Sequence, residues 1–131
     1  MRPQEELRLS GEKLVLTPIT SKDAKELCEC LQDPRISETT SVPFPYTLDM
    51  ARDNLAESEE KWAKGSADFA IRSAADLALL GRIELIRSPR TPEACELAFF
   101  IRQDQWGKGF MTEAVGLALD YAFGHMGVER V

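Results

Sequence analysis

Apolar positions along the chain change their period several times, and each change marks a predicted element. Residues 13–19 form a short apolar run that reads as a strand, ended by Pro18, which has no N–H for a ladder. Ala24, Leu27, Cys28 and Leu31 then recur at three and four residues, the spacing of one helix face. Thr20 or Ser21 can cap this helix, Asp23 lies near the positive end of its dipole, and Asp33-Pro34 closes it. Across 35–47 no period persists, and Pro43 and Pro45 exclude a helix. Thr47 caps a second amphipathic helix, with Leu48, Ala51, Leu55 and Trp62 on one side and Glu57, Glu59, Glu60 and Lys61 on the other, until Gly65 stops it. Its acidic cluster reads as a solvated face, the usual place for a charge run.

Residues 68–72 and 77–87 read as two strands of a hairpin, with Ala74-Ala75-Asp76 near the turn. Gly81 interrupts the second strand, which marks a bulge or a close approach of another backbone. Pro89 and Pro92 punctuate the connection that follows. Leu97-Ala98-Phe99-Phe100-Ile101 is predicted as a strand buried on both faces, and a polar loop over 102–105 ends it. After Trp106, Gly107, Lys108 and Gly109, a helix is predicted from Met111, Ala114, Val115, Ala118, Tyr121 and Ala122, with Thr112 and Glu113 in its first turn.

Strand, glycine loop, helix is an order that makes a phosphate site. The first N–H groups of a helix lack intrahelical partners and carry the positive end of its dipole, so one anion satisfies both. Gly107 and Gly109 let the backbone approach a diphosphate closely, and Lys108 adds a mobile positive charge. The P-loop spacing is excluded, because Lys108 sits between the glycines and no glycine lies four places before Gly107. The dinucleotide fingerprint fits poorly: Thr112 stands where a third small residue is needed, and Glu129 precedes the expected next strand instead of ending it.

Residues 96–114, ELAFFIRQDQWGKGFMTEA, resemble the acetyl-coenzyme A signature of the GNAT N-acetyltransferases, specifically the RimJ/RimL-like branch. The general pattern [RQ]-x-x-G-x-[GA] lands on Trp106 to Met111 with Gly109 as its glycine; Trp106 replaces Arg/Gln, and Met111 places a longer side chain beside the diphosphate. The resemblance extends over 1–131 as one domain: a strand with L-x-L-x-P-I-T, a P-F-P-Y-T-L-D-x-A segment opening a helix, the hairpin, then the cofactor strand and helix. It implies an α/β (α+β) fold, a mixed and mainly antiparallel sheet flanked by helices. The strands and helix that would follow 127–131 in the family are expected to be missing.

The same resemblance implies acetyl transfer from acetyl-coenzyme A to a primary amine, on a protein N-terminus or a small molecule. Phe99, Phe100 and Ile101 would offer backbone groups to the pantetheine arm, while Trp106, Gly107, Lys108, Gly109, Phe110, Met111 and Thr112 would hold the diphosphate. Glu96 is the candidate base, since a carboxylate at the entrance of a buried strand can have its pKa raised toward the working range. The general acid of the family falls in the part this chain lacks, which leaves open a non-catalytic module that binds the cofactor or a partner. Tyr121, Trp62 and Trp106 read as packing residues, and His125 as a cation at a helix end. The incomplete sheet is expected to self-associate through its exposed edge.

Composition narrows the field further. With 131 residues, 44% hydrophobic and 29% charged, this is the profile of one soluble globular domain. A net charge of -6 and pI near 4.9 argue against nucleic acid as an electrostatically held partner and leave an amine less disfavoured. Cys28, Cys30 and Cys95 form neither a disulfide framework nor a zinc pattern, so no metal is expected. No apolar run reaches the roughly 20 residues of a membrane span, and the first ten residues lack the apolar core of a signal peptide, so the expected location is cytoplasmic.

Overall fold

A computed structural model describes residues 7–32, 46–105 and 107–131. Five strands, β1 (Leu9–Ser10), β2 (Leu14–Pro18), β3 (Ala67–Ser73), β4 (Leu79–Arg87) and β5 (Cys95–Ile101), form one sheet in sequential order, each antiparallel to the next. Helices α1 (Ala24–Cys30), α2 (Leu48–Ala56) and α3 (Ser58–Ala63) lie between β2 and β3, and α4 (Phe110–Gly124) follows β5. The fold is mixed α+β, as expected. Asp33-Pro34, Pro43, Pro45 and Trp106 lie outside the described residues.

Local chemistry sets the element ends. Thr20 and Asp23 form a reciprocal capping box on a single 3-10 turn (Ser21–Asp23) that leads into α1. Thr47 accepts from the Met50 N–H at 3.1 Å and caps α2. After α3, Gly65 at φ 90° lets its N–H reach Trp62 O and the Ser66 N–H reach Lys61 O, a paired closure of the helix end. The helix predicted as continuous from Leu48 to Gly65 is in fact two, divided at Glu57. That division leaves the hydroxyl-bearing Ser58 buried while Glu57, Glu59 and Glu60 stay exposed, so the acidic cluster is the solvated face it was expected to be.

Two apolar layers sandwich the sheet. On one side Leu14, Leu16, Phe69, Ile71, Ile83 and Leu85 meet Ala114, Ala118 and Ala122, whose small side chains let α4 lie close. Phe69 takes the edges of Trp62 and Tyr121 at 5.4 and 5.3 Å between ring centroids, so both rings pack as predicted. On the other side Ile19, Leu27, Leu31, Ala51, Leu55 and Leu79 gather beneath α1 and α2. This second face carries an ionic network that the apolar periodicity did not signal. Arg82 holds Asp68 through two bonds at 2.8 and 2.6 Å and Asn54 at 2.6 Å, with both charged side chains buried. Beside it, Arg72 pairs with Asp23 and Lys61 pairs with Glu84.

Two strand predictions need correction. Leu77 was expected to open the second hairpin strand, but it occupies the turn at φ 63°, where Ala78 is held by the Asp76 carboxylate at 3.0 Å; β4 begins at Leu79. The strand expected to be buried on both faces, β5, exposes Glu96, Ala98 and Phe99, the last by 44%. An apolar run reports strand propensity and length, whereas burial depends on how many elements cover the strand.

At the end of the sheet away from the glycine loop, one side chain joins three segments. The Arg87 guanidinium donates to Gly65 O, Pro92 O and Met126 O, tying the end of α3, the β4–β5 connection and the end of α4 together.

Candidate active site

Strand β5 is paired unevenly along its two edges. Toward β4 the register runs from Gly81↔Ile101 to Arg87↔Cys95 without interruption. The close approach predicted at Gly81 is real: a Cβ there would stand 2.1 Å from Phe100 O. On the opposite edge, pairing with described residues is confined to one end, where Ala94 bridges Arg130 in parallel and the Cys95 N–H donates to Arg130 O at 3.0 Å. Hydrogen bonds alternate along an antiparallel pair. Arg102 N donates to Leu80 O and Ser88 N to Ala94 O, so the even-numbered residues of β5 bond toward β4. It follows that the backbone of Leu97 and Phe99 turns to the open edge, while that of Phe100 is engaged with Arg82. Leu97 was not among the predicted contacts; the alternation becomes readable only once the register is known.

At the far end of β5 a 3-10 turn (Gln103–Gln105) delivers the chain into the glycine loop. Gly107 and Gly109 both adopt left-handed conformations, at φ 81° and 80°, as their placement in the sequence required. A Cβ at Gly107 would meet no described residue within 4 Å. Gly109 is the N-cap of α4 and no side chain caps the helix, whose first internal bond runs from Glu113 N to Gly109 O. The N–H groups of Phe110, Met111 and Thr112 precede that bond and have no intrahelical partner. Lys108, Gly109 and Thr112 are exposed, whereas Phe110 and Met111 pack against the core below α4. The longer side chain of Met111 therefore turns inward and leaves the anion side of the loop clear. These features fit a diphosphate group: bare amides, a helix dipole, and glycines that keep side chains away.

Glu96 stands on the opposite face of β5 from Phe99. Cross-strand partners share a face, so the pairs Ile86↔Glu96, Glu84↔Ala98 and Arg82↔Phe100 place it in line with the ionic network. It is exposed and makes no ion pair with a described residue, so the buried strand entrance expected around it is absent. The other reactive groups are quieter. Burial pushes the Cys30 thiol up to about 12, and its Sγ lies 3.6 Å from Leu79 O as a donor; burial raises Cys95 as well. Both stay protonated at neutral pH and are poor nucleophiles. Burial also raises the Tyr121 hydroxyl, and its ring stacks on His125 at 5.1 Å at the end of α4. Among the described residues no cluster of three His, Cys, Asp or Glu side chains could hold a metal, and no helix is long and apolar enough to cross a membrane.

The sequence motif that predicted the loop omitted its support. Glu113, in the first turn of α4, accepts from the backbone N–H groups of Lys13 and Leu14, with both shorter contacts at 2.9 Å. No local pattern joins residues 99 and 100 positions apart.

Comparison with known proteins gives this arrangement a context. The profile of the Acetyltransferase (GNAT) domain matches residues 13–131. The probable N-acetyltransferase YjcK of Bacillus subtilis (strain 168) is 33% identical over 130 residues, spanning 94% of this chain and 71% of that protein. The uncharacterized N-acetyltransferase p20 of Bacillus licheniformis is 26% identical over 125 residues, covering 94% and 70%. Among solved structures, the ribosomal-protein-S5-alanine acetyltransferase from Vibrio fischeri superposes with a TM-score of 0.76 at 17% identity, covering 90% of this chain and 68% of that one. RimL, a ribosomal L7/L12 alpha-N-protein acetyltransferase, gives 0.78 at 10% identity, covering 93% and 67%. At these identities the structural likeness speaks to fold.

Proposed function

The chain belongs to the GNAT acetyltransferase family, and from that premise we propose that it transfers an acetyl group from acetyl-coenzyme A to a primary amine. The observation that carries this reading is the loop and helix start: two left-handed glycines, open space at Gly107, and first-turn amides without a side-chain cap ahead of a 15-residue helix. In this reading the amides of Phe110, Met111 and Thr112 grip the diphosphate, with Trp106, Gly107, Lys108 and Gly109 forming the loop around it. The pantetheine arm lies along β5, over Phe99, Phe100 and Ile101, with Leu97 added as the neighbour that shares the outward alternation of Phe99.

When bound, acetyl-coenzyme A supplies an activated acetyl thioester. The protein must then provide an amine with a free lone pair. Glu96 takes the ammonium proton at its carboxylate, directly or through a water, from the face of β5 that it shares with Phe100. The net charge of -6 favours approach of a cationic acceptor, either a protein N-terminus or a small amine. A second copy of the chain is a competing occupant of the open β5 edge, and a monomeric mass by light scattering at high concentration would remove it.

Calorimetric titration with acetyl-coenzyme A tests the site. Gly109→Glu puts a carboxylate at the diphosphate position and is expected to abolish binding; unchanged affinity in a folded variant contradicts the assignment. Thiol release across a panel of amines tests turnover, and an unaltered pH-rate profile in Glu96→Gln removes Glu96 from the mechanism. The exposure of Glu96 favours a second reading, a module that binds acetyl-coenzyme A without turning it over. That reading predicts saturable binding and no thiol release with any amine.

A further inference from the structure

Lys13, just before β2, stands beside the glycine loop although 95 positions separate it from Lys108. Its ammonium donates to Lys108 O at 3.2 Å and lies 3.5 Å from where a Cβ on Gly109 would be. Its backbone is fixed independently. The Glu113 carboxylate takes the N–H groups of Lys13, at 2.9 and 3.2 Å, and of Leu14, at 2.9 Å. The turn closes around that carboxylate so tightly that a Cβ on Gly11 would stand 2.7 Å from Glu113 Oε2. The Lys13 ammonium forms no ion pair with a described residue, and its one bond to a described residue, a neutral carbonyl, leaves two N–H donors for another acceptor. Lys108 is held more weakly, with Nζ 3.5 Å from Gln105 Oε1.

We infer that Lys13 is a cationic contact to the diphosphate at this loop, with Glu113 as the positioning residue that holds it there. The inference rests on the proposed acetyl-coenzyme A site and adds to it a charge from the other end of the chain. A diphosphate seated on the first-turn amides of α4 meets this ammonium at Gly109, where the lysine already leans on the loop.

The test is calorimetry on the full chain with three ligands: acetyl-coenzyme A, its 3′-dephospho analogue, and acetyl-pantetheine, which lacks the diphosphate. Lys13→Met is expected to weaken the first two about tenfold, the scale of one charge-assisted contact, and to leave acetyl-pantetheine unchanged. Lys13→Arg is expected to keep most of the affinity. Glu113→Gln is expected to show the same ligand selectivity with a smaller loss, together with faster hydrogen exchange at the Lys13 and Leu14 amides. Wild-type affinity in Lys13→Met overturns the inference. So does an equal loss on all three ligands, which marks a scaffold role, or a loss confined to the ligand bearing the 3′-phosphate. If the unaltered chain fails to bind acetyl-coenzyme A, the proposed function fails first and the inference falls with it.

Discussion

Strands β4 and β5 carry comparable apolar runs, LLGRIELIR and CELAFFI, yet only β4 is buried along most of its length. The difference lies in their neighbours. β4 has a strand on each edge and a helix layer on each face, so even Arg82 is enclosed with its partner Asp68. Among the described residues, β5 has β4 along one edge and the Ala94–Arg130 bridge at one end of the other. An apolar edge strand is a hazard for association, and β5 exposes Ala98 and Phe99.

Mutation can break this contrast or sharpen it. The largest effect is expected from Gly81→Ala, whose Cβ would meet Phe100 O at 2.1 Å and the Ile101 Cα at 2.9 Å. Backbone atoms cannot step aside as a side chain can, so urea unfolding should report a loss of about 4 kcal/mol or more. Ile83→Ala, buried in β4, is expected to cost about 3 kcal/mol in the same assay. An alkaline titration comes next. Burial holds Cys30 at about 12 against 9.0 for the free thiol, and Tyr46 and Tyr121 are raised in the same direction. The native state therefore keeps protons that the unfolded chain releases. Stability is full below pH 9 and falls as pH climbs toward 12, with the Cys30 share limited to about 1.4 kcal/mol per pH unit; Cys30→Ala should flatten that slope. The smallest effect is expected from Phe99→Ala. This residue is the register partner of Ile83 but half exposed, and its loss should cost less than about 1 kcal/mol. If Ile83→Ala and Phe99→Ala proved equally costly, the contrast between the strands would be void.

Features carried by adjacent residues were legible in the chain. Thr20 and Thr47 announce helix starts through their hydroxyls, Gly65 announces a stop, Gly81 a close approach, and the loop glycines their left-handed backbone. What stayed hidden depends on pairing across distance. Asp68 and Arg82 lie on one face of the hairpin, but their union needs the true turn, and that turn ends two residues later than expected because Leu77 and Ala78 belong to it. The grip of Glu113 on the β1–β2 turn joins opposite ends of the chain, and nothing in MTEA marks it. Likewise, the composition of β5 reads as interior because it carries no record of what covers it. The helix division at Glu57 has no glycine or proline to mark it, although Ala51 and Leu55 of α2 join the layer beneath α1 while Trp62 of α3 packs on Phe69 in the other.

Arg87 gives the molecule a mechanical polarity. Its three carbonyl partners rivet the sheet at the end where β5 is also bridged to Arg130, while α4, about 22 Å long, runs from there to the glycine loop. Arg87 and the Arg130 bridge thus act as the spring of a clothes-peg, clasping α4 and β5 together at one end.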